Sequence, residues 1–595
     1  MKSDRLRRLL ASLVLVSACG DDATNAGDTT PLADTTSLAE PDTSAAVDTA
    51  TSEDSATEGS PDSATPDDAA PDALDEPDTG EPAGPTPPLA RVYANNPLDG
   101  SLIEVELPHI QSHDGKLTGA FARVWNCTQA PGGKKVNYQG VTLTLCNQEQ
   151  TALRGDDGTW LHVDPPASDK DGNDAFAELM MYWHVNHIHD WFKDSFGMSS
   201  LDFSMDALVN VQFSIYGGWL PFDNAAFIPK ESLAQLGLPL DLNGDSIIFG
   251  QGTNVDFSYE ADVIYHEYTH AMIGTTRLMG VTLDAYGPTN LPSAMNEGFA
   301  DYFAATLADD PLMGAYALSN VSSIFTSAPP MDLSRDLSVM KRCPDDLTTE
   351  FHADGEIVGS AMWSIRAQLG PAAADAIILK AIQTFTNATT IDGASEAIIE
   401  EAGKLDPPRD AEVEQILRDH GMLGCNRVMP YKAFLATGGD SLPLEIPGTS
   451  TTGLPQFFKW VPGFVQWRYT QPTGKAGFSI MLKIAAGGVG GFGGGSLPTL
   501  SLLAKRGGQP ITYAYAGATT THDAEVEIPL VQGKSDAQGL TPYTATVFGD
   551  CVAEGDVVLQ IKNTSKTGGQ IYALQISALT EAPDGDPTFG GCGGP

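Results

Sequence analysis

The sequence predicts an α+β protein in which a main globular region over residues 91–435, β-rich first and helical after, precedes a separate all-β, sandwich-like domain over 436–595. Three observations carry this. Early segments alternate apolar and polar residues, as in "LIEVEL" and "VTLTLC", with turn signals in "PGGKK" and "DDGT". Apolar residues then recur at helical spacing over 174–196, 258–273, 293–307 and, in three or four pieces, 356–423. Beyond 436, "FVQWRYTQ", "FSIMLKIAA", "AEVEIPLV", "DVVLQIK" and "IYALQISAL" stand between glycine-rich turns. A chain of 595 residues has room for two or three such domains.

The N-terminus, "MKSDRLRRLLASLVLVSACG", has a basic start, a short apolar run and small residues before Cys19. That is the layout of a secretory signal over 1–19, and its apolar run is too short to span a bilayer. "VSAC" is similar to the lipobox of bacterial lipoproteins, in which Cys19 would be lipidated; an ordinary signal peptide cut nearby is the alternative. Either way an exported protein is expected, held in the cell envelope or released.

Residues 20–90 are read as a disordered linker. Positions 21–90 contain 18 Asp and Glu, no Lys or Arg and no aromatic residue, so they cannot bury enough apolar surface to offset chain entropy. The net charge is −44, of which residues 1–20 contribute +3 and 21–90 contribute −18, leaving −29 for 91–595. Such a surface repels nucleic acid. Cys127, Cys146, Cys343, Cys425, Cys551 and Cys592 include no Cys-x-x-Cys pair, and in an exported chain they suggest disulfides. Proximity favours 127 with 146 and 551 with 592, leaving 343 for 425.

The helix predicted over 174–196 carries His184, His187 and His189 without a carboxylate or cysteine at metal-site spacing, so packing and surface roles are expected. In "DVIYHEYTHAM" the case differs. His266 and His270 lie four apart, hence on one helix face, where two imidazoles reach one ion at about 2 Å. Glu267 projects beside them, placed to meet a water without ligating the ion. With 11 histidines in the chain, chance yields this pattern in roughly one such sequence in a hundred. A catalytic zinc needs a third ligand and an open position, and Glu297 in "SAMNEGFADYF" supplies the carboxylate from the next predicted helix.

At these residues the chain resembles the thermolysin-like zinc metallopeptidases, the fungalysins most closely. "HEYTH", "NEGFADYF", "EFHADGEIVGSAMW" and "DNAAF" followed by "IIFGQG" occur in the family's order over about 92–436. The resemblance implies a two-lobed catalytic domain that binds one Zn2+ through His266, His270 and Glu297. It implies Glu267 as general base and acid, and His352 as the group that binds the oxyanion. Asp301 and Asn296 would orient the ligand imidazoles, while Asn224, the Ala225 backbone and Arg335 would hold substrate; for Arg335 an ordinary surface salt bridge is the alternative. Calcium stabilises the family, and Asp262 matches a calcium-ligand position. One departure is that a tyrosine expected nine residues before the glutamate is replaced by Pro288; Tyr286 is nearest and receives no role.

The function expected is a secreted or surface-anchored zinc endopeptidase acting on polypeptides, associated with a membrane through lipidated Cys19. Two rivals stand beside it: a non-catalytic surface lipoprotein that keeps a peptidase fold, and a zinc hydrolase with another substrate. The β domain is open to two uses, binding substrate or binding the cell surface. Its Trp460 and Trp467 are expected in the core rather than on a binding face.

Overall fold

In the computed structural model the periodicities become elements close to where they were expected. The structure describes residues 88–595 except 130–132, 134, 139–140, 216–217, 237–239, 275–277, 323–330, 437–441, 452, 487–495, 518, 550–551, 553, 582–588 and 592–595. Cys19, residues 20–87 of the expected linker and the expected Cys551–Cys592 pair lie outside the described residues, while Leu89 and Ala90, which were given to the linker, belong to a strand. Pro87–Pro595 cluster as one compact unit.

The chain begins with the antiparallel pair β1 (Leu89–Tyr93) and β2 (Leu102–Glu106). Next come β3 (Ala122–Thr128), β4 (Lys135–Tyr138), β5 (Val141–Leu145) and β6 (Asn147–Glu149). Helix α1 (Phe176–Phe196) follows and stops at Gly197, whose φ of 66 is the left-handed conformation glycine adopts without a Cβ penalty. Then come β7 (Met205–Ile215), β8 (Gly218–Pro221), β9 (Ala225–Ile228), helix α2 (Lys230–Leu236) and β10 (Ser246–Gly250). The eight strands β3 to β10 form one sheet. The long β7 pairs with β3, β5, β8 and β10, and β9 lies beyond β10 as an edge strand.

The motif helix α3 (Ala261–Ile273) is preceded by Glu260 and closed at Gly274. Twelve of its thirteen residues are buried, which is what a helix without a polar face requires. The hairpin β11 (Thr282–Asp284) and β12 (Gly287–Thr289) leads into α4 (Leu291–Ala308), which opens with a proline in its first turn. After the short pair β13 (Leu312–Met313) and β14 (Arg335–Asp336), α5 (Phe351–Leu369) begins with Glu350 accepting the Ala353 N–H. Gly370 and Pro371 separate it from α6 (Pro371–Ile382), and α7 (Ile391–Gly403) and α8 (Asp410–Asp419) complete the helical region.

The crossing of α4 and α5 is built on glycine. A Cβ on Gly298 would stand 2.4 Å from the Gly355 carbonyl oxygen, and one on Gly355 would stand 3.0 Å from the Ala294 carbonyl oxygen. The helix bearing Glu297 and the helix with His352 in its first turn are thus packed backbone to backbone.

Beyond residue 428 the strands form two sheets. One runs through Gln466–Gln471, Gly555–Asn563 and Leu500–Arg506; the other runs through Gly569–Leu579, Gly477–Ala486 and Thr541–Phe548. Alternate residues of both, among them Trp467, Leu502, Leu559, Ile480, Val547 and Leu574, join one hydrophobic core. Trp467 is 4% exposed and is a core residue, whereas Trp460 packs against Tyr513 and under the Lys562 ammonium. Disulfides join Cys127 to Cys146 and Cys343 to Cys425, as proximity suggested.

Candidate metal centre

Two buried helices bring the donors together. His266 Nε2 and His270 Nε2 face each other at 3.1 Å, as the four-residue spacing on α3 requires. Glu297 Oε2 from α4 lies 3.2 Å from the first and 3.8 Å from the second. Among the described residues this is the one cluster of three or more His, Cys, Asp or Glu that could hold a metal ion. Both Glu297 oxygens lack a hydrogen-bond partner although the residue is 1% exposed. Two nitrogens and one carboxylate oxygen, buried and mutually close, match the donor set of a catalytic zinc site.

Each imidazole is held from behind. His266 Nδ1 contacts Asp301 Oδ1 at 2.8 Å, and His270 Nδ1 is 3.0 Å from Asn296 Oδ1. Asn296 in turn donates to the Leu278 carbonyl. These contacts leave Nε2 of each ring turned towards Glu297. Arg335 donates to both Asp301 oxygens, at 2.6 and 2.7 Å. The structure therefore joins Arg335 to the Asp301–His266 pair, a contact that the substrate role implied by the resemblance does not exclude.

The charges reinforce one another. Burial opposes ionisation of Asp301, but Arg335 and His266 outweigh it and hold the carboxyl far below the usual range. Burial likewise opposes charge on Glu297, yet His352, His270 and His266 bring it to about 2. His266 is pushed up to about 10 because Asp301 and Glu297 overcome its desolvation. A cation is what this buried, carboxylate-bearing pocket favours.

The neighbours fit a reaction around such a cation. Glu267 is 7% exposed, and its Oε2 accepts the Phe227 N–H of edge strand β9 at 2.7 Å. Burial raises its pKa above the usual carboxylate value, moving it towards that of a working base. Ala225 pairs with Phe249 at the start of β9, and the Asn224 carbonyl accepts the Gly250 N–H. His352 Nε2 lies 3.7 Å from Glu297 Oε2, and its Nδ1 is 2.8 Å from Glu350 Oε1. With 37% of its side chain open to solvent, it sits at the rim of the site.

The other histidines behave as expected. His184 is fully buried, 2.7 Å from the Tyr265 hydroxyl and 3.1 Å from the Tyr93 carbonyl, while His187 stacks on Trp183. Two contributors escaped the sequence reading. Glu350 both caps α5 and orients His352, and the glutamate two residues before a predicted catalytic histidine was a visible cue. The glycines at 355 and 359, one turn apart, were the sequence sign of the close helix crossing.

Asp354, on the first turn of α5, is a separate test of burial. It is 1% exposed, and burial lifts its carboxyl to about 7 despite bonds from the Thr348 N–H and hydroxyl. A raised folded-state pKa favours the protonated form, so its stabilisation is complete below about pH 4 and is lost as pH rises through about 7. Asp354→Asn, which cannot ionise, is expected to melt higher relative to wild type at about pH 8.5 than at about pH 5.5, by about 3 °C. Melting curves at the two pH values check this; a difference independent of pH would contradict it.

Residues 150–384 match the family model of the fungalysin metallopeptidases (M36). This part of the chain is fungalysin-like. The match spans the sheet edge and helices α3 to α6, so every candidate ligand and His352 fall inside it. No curated protein matches the chain. Among solved structures, a family GH115 4-O-methyl-α-glucuronidase with specificity for decorated arabinogalactans is 7% identical, with a TM-score of 0.12. The alignment covers 38% of this chain and 30% of that protein, and it carries no argument about fold or function. Among the described residues no helix is long and apolar enough to cross a membrane.

Proposed function

We propose that this chain is an exported zinc endopeptidase, lipid-anchored through Cys19 and built on a two-lobed thermolysin-like domain. The supporting observation is the meeting of His266, His270 and Glu297 with Glu267 fastened to the edge strand. An extended peptide adds to β9 as a further strand, held by the Asn224 side chain and the Ala225 backbone. A zinc ion, which the two imidazoles and Glu297 would hold, would supply Lewis acidity to the scissile carbonyl and acidify a water. Glu267 takes the proton from the attacking water and later delivers it to the leaving nitrogen. His352 Nε2 donates to the oxyanion as it develops. Asp301, held by Arg335, and Asn296 keep the imidazoles in the tautomer this requires. A structural calcium beside Asp262 belongs to the same reading: Asp262 Oδ1 is buried without a hydrogen-bond partner.

The test is metal content together with proteolysis by the full chain. One zinc per chain is expected, with casein cleavage that stops on treatment with 1,10-phenanthroline and returns when zinc is restored. Bound zinc without cleavage would overturn the peptidase reading; absence of zinc would overturn the site itself.

A further inference from the structure

Thr349 stands three residues before the oxyanion-side histidine in an unusual conformation. Its φ is 66 and it is 1% exposed. A β-branched residue in the left-handed region is strained, and it persists only where the surroundings over-determine it. Here two bonds do so. The Thr349 carbonyl accepts from Asn290 Nδ2 at 2.7 Å, and its Oγ1 accepts the Glu445 N–H at 2.6 Å.

Both supports lead into the C-terminal β region. Glu445 lies in the strand Leu444–Ile446, paired antiparallel with Gly569–Leu579. Asn290 directly follows the β11–β12 hairpin, and Arg427 clamps that hairpin. The Arg427 guanidinium is 2% exposed; it donates to both Asp284 oxygens, to the Gly287 and Pro288 carbonyls and to the Phe464 carbonyl. Gln466 Nε2 reaches the Tyr286 carbonyl, and the Tyr513 N–H donates to the Ala285 carbonyl. Glu350, which follows Thr349, caps α5 and bonds His352 Nδ1.

We propose that the C-terminal β region is a positioning element of the active site: through the Glu445 N–H to Thr349 Oγ1 bond it sets Glu350, and through Glu350 it sets His352. This rests on the peptidase reading for the use of His352. The β region is then required for turnover without touching substrate, and Thr349 is the positioning residue through which it acts.

Thr349→Ala deletes the hydroxyl, Thr349→Ser keeps it, and Thr349→Gly deletes it while suiting a φ of 66, which preserves a foldable variant. All are made in the full chain. In peptide hydrolysis, Ala and Gly are expected to lower kcat about tenfold with KM within about twofold and zinc content unchanged, and Ser to restore kcat. In a His352→Ala background the same Thr349 changes are expected to have no further effect. A second readout does not need activity: carbethoxylation of His352, followed by mass spectrometry, is expected to be several times faster in the Ala and Gly variants than in wild type or Ser. Unchanged labelling overturns the positioning role, as does an equal fall in kcat with and without His352. An inactive wild type that still shows faster His352 labelling in the Ala and Gly variants would sink the peptidase reading and leave the positioning role standing.

Discussion

Glu267→Gln is expected to retain zinc and lose peptide hydrolysis by on the order of 10³-fold, because the substitution removes the proton acceptor and leaves the donor set intact. Glutamine is isosteric and its carbonyl oxygen can still accept the Phe227 N–H, so the tie between α3 and edge strand β9 survives. His266, His270 and Glu297 are untouched, and zinc per chain should equal that of wild type. The loss should fall on kcat, since the proton moves only as the bond is attacked and broken. Zinc analysis beside hydrolysis of a quenched fluorescent peptide decides it. Activity within tenfold of wild type would remove Glu267 from the mechanism.

Gly298→Ala is expected to lower both stability and activity, although it adds one methyl group to a helix and alanine is the better helix former. The added Cβ would meet the Gly355 carbonyl oxygen at 2.4 Å, Val358 Cβ at 2.6 Å and the Gly359 nitrogen at 3.0 Å. Two of these are backbone atoms of α5, so relief requires α4 and α5 to separate. Overpacking of this kind costs about 1–3 kcal/mol or more. Glu297 is the preceding residue on one helix and His352 lies in the first turn of the other, so their separation changes with the crossing. A misplacement of about 1 Å can cost about 100-fold in rate. Gly403→Ala is the matched control: its Cβ would find its nearest neighbour at 3.6 Å, an ordinary contact. Melting curves and kcat for the two variants test the argument, and a Gly298→Ala protein as stable and active as the control would refute it.

Much of the helical region was legible because its signals are local. The four-residue interval between His266 and His270 needs only a helix to become a pair of facing donors. Gly197, Gly274 and Gly370 ended helices where they were expected to. The start of α5 was misjudged by five residues, because Glu350's position before His352 does not by itself show that it caps the helix, and its bond to the Ala353 N–H appears only in three dimensions. Arg335 shows the same limit. Its place in "DLSRDL" suggested a surface or substrate contact, and the partner that claims it, Asp301, lies 34 residues earlier in sequence.

The sequence by itself determined the element types and pointed to the candidate donor residues and base, since periodicity and residue chemistry act over a few neighbours. It also set the acidic character, and it favoured the two disulfides found among the described residues without fixing them. Tertiary structure decided what those residues can do together. Glu297 reaches the imidazoles because α4 packs against α3, Gly298 lets α5 lie close beside α4, and His352 faces the site because Glu350 and Thr349 hold the turn before it. Thr349 is held from Glu445, 96 residues away. Such contacts depend on how whole elements dock, through burial and hydrogen bonds between distant segments, and no local pattern in the chain records them.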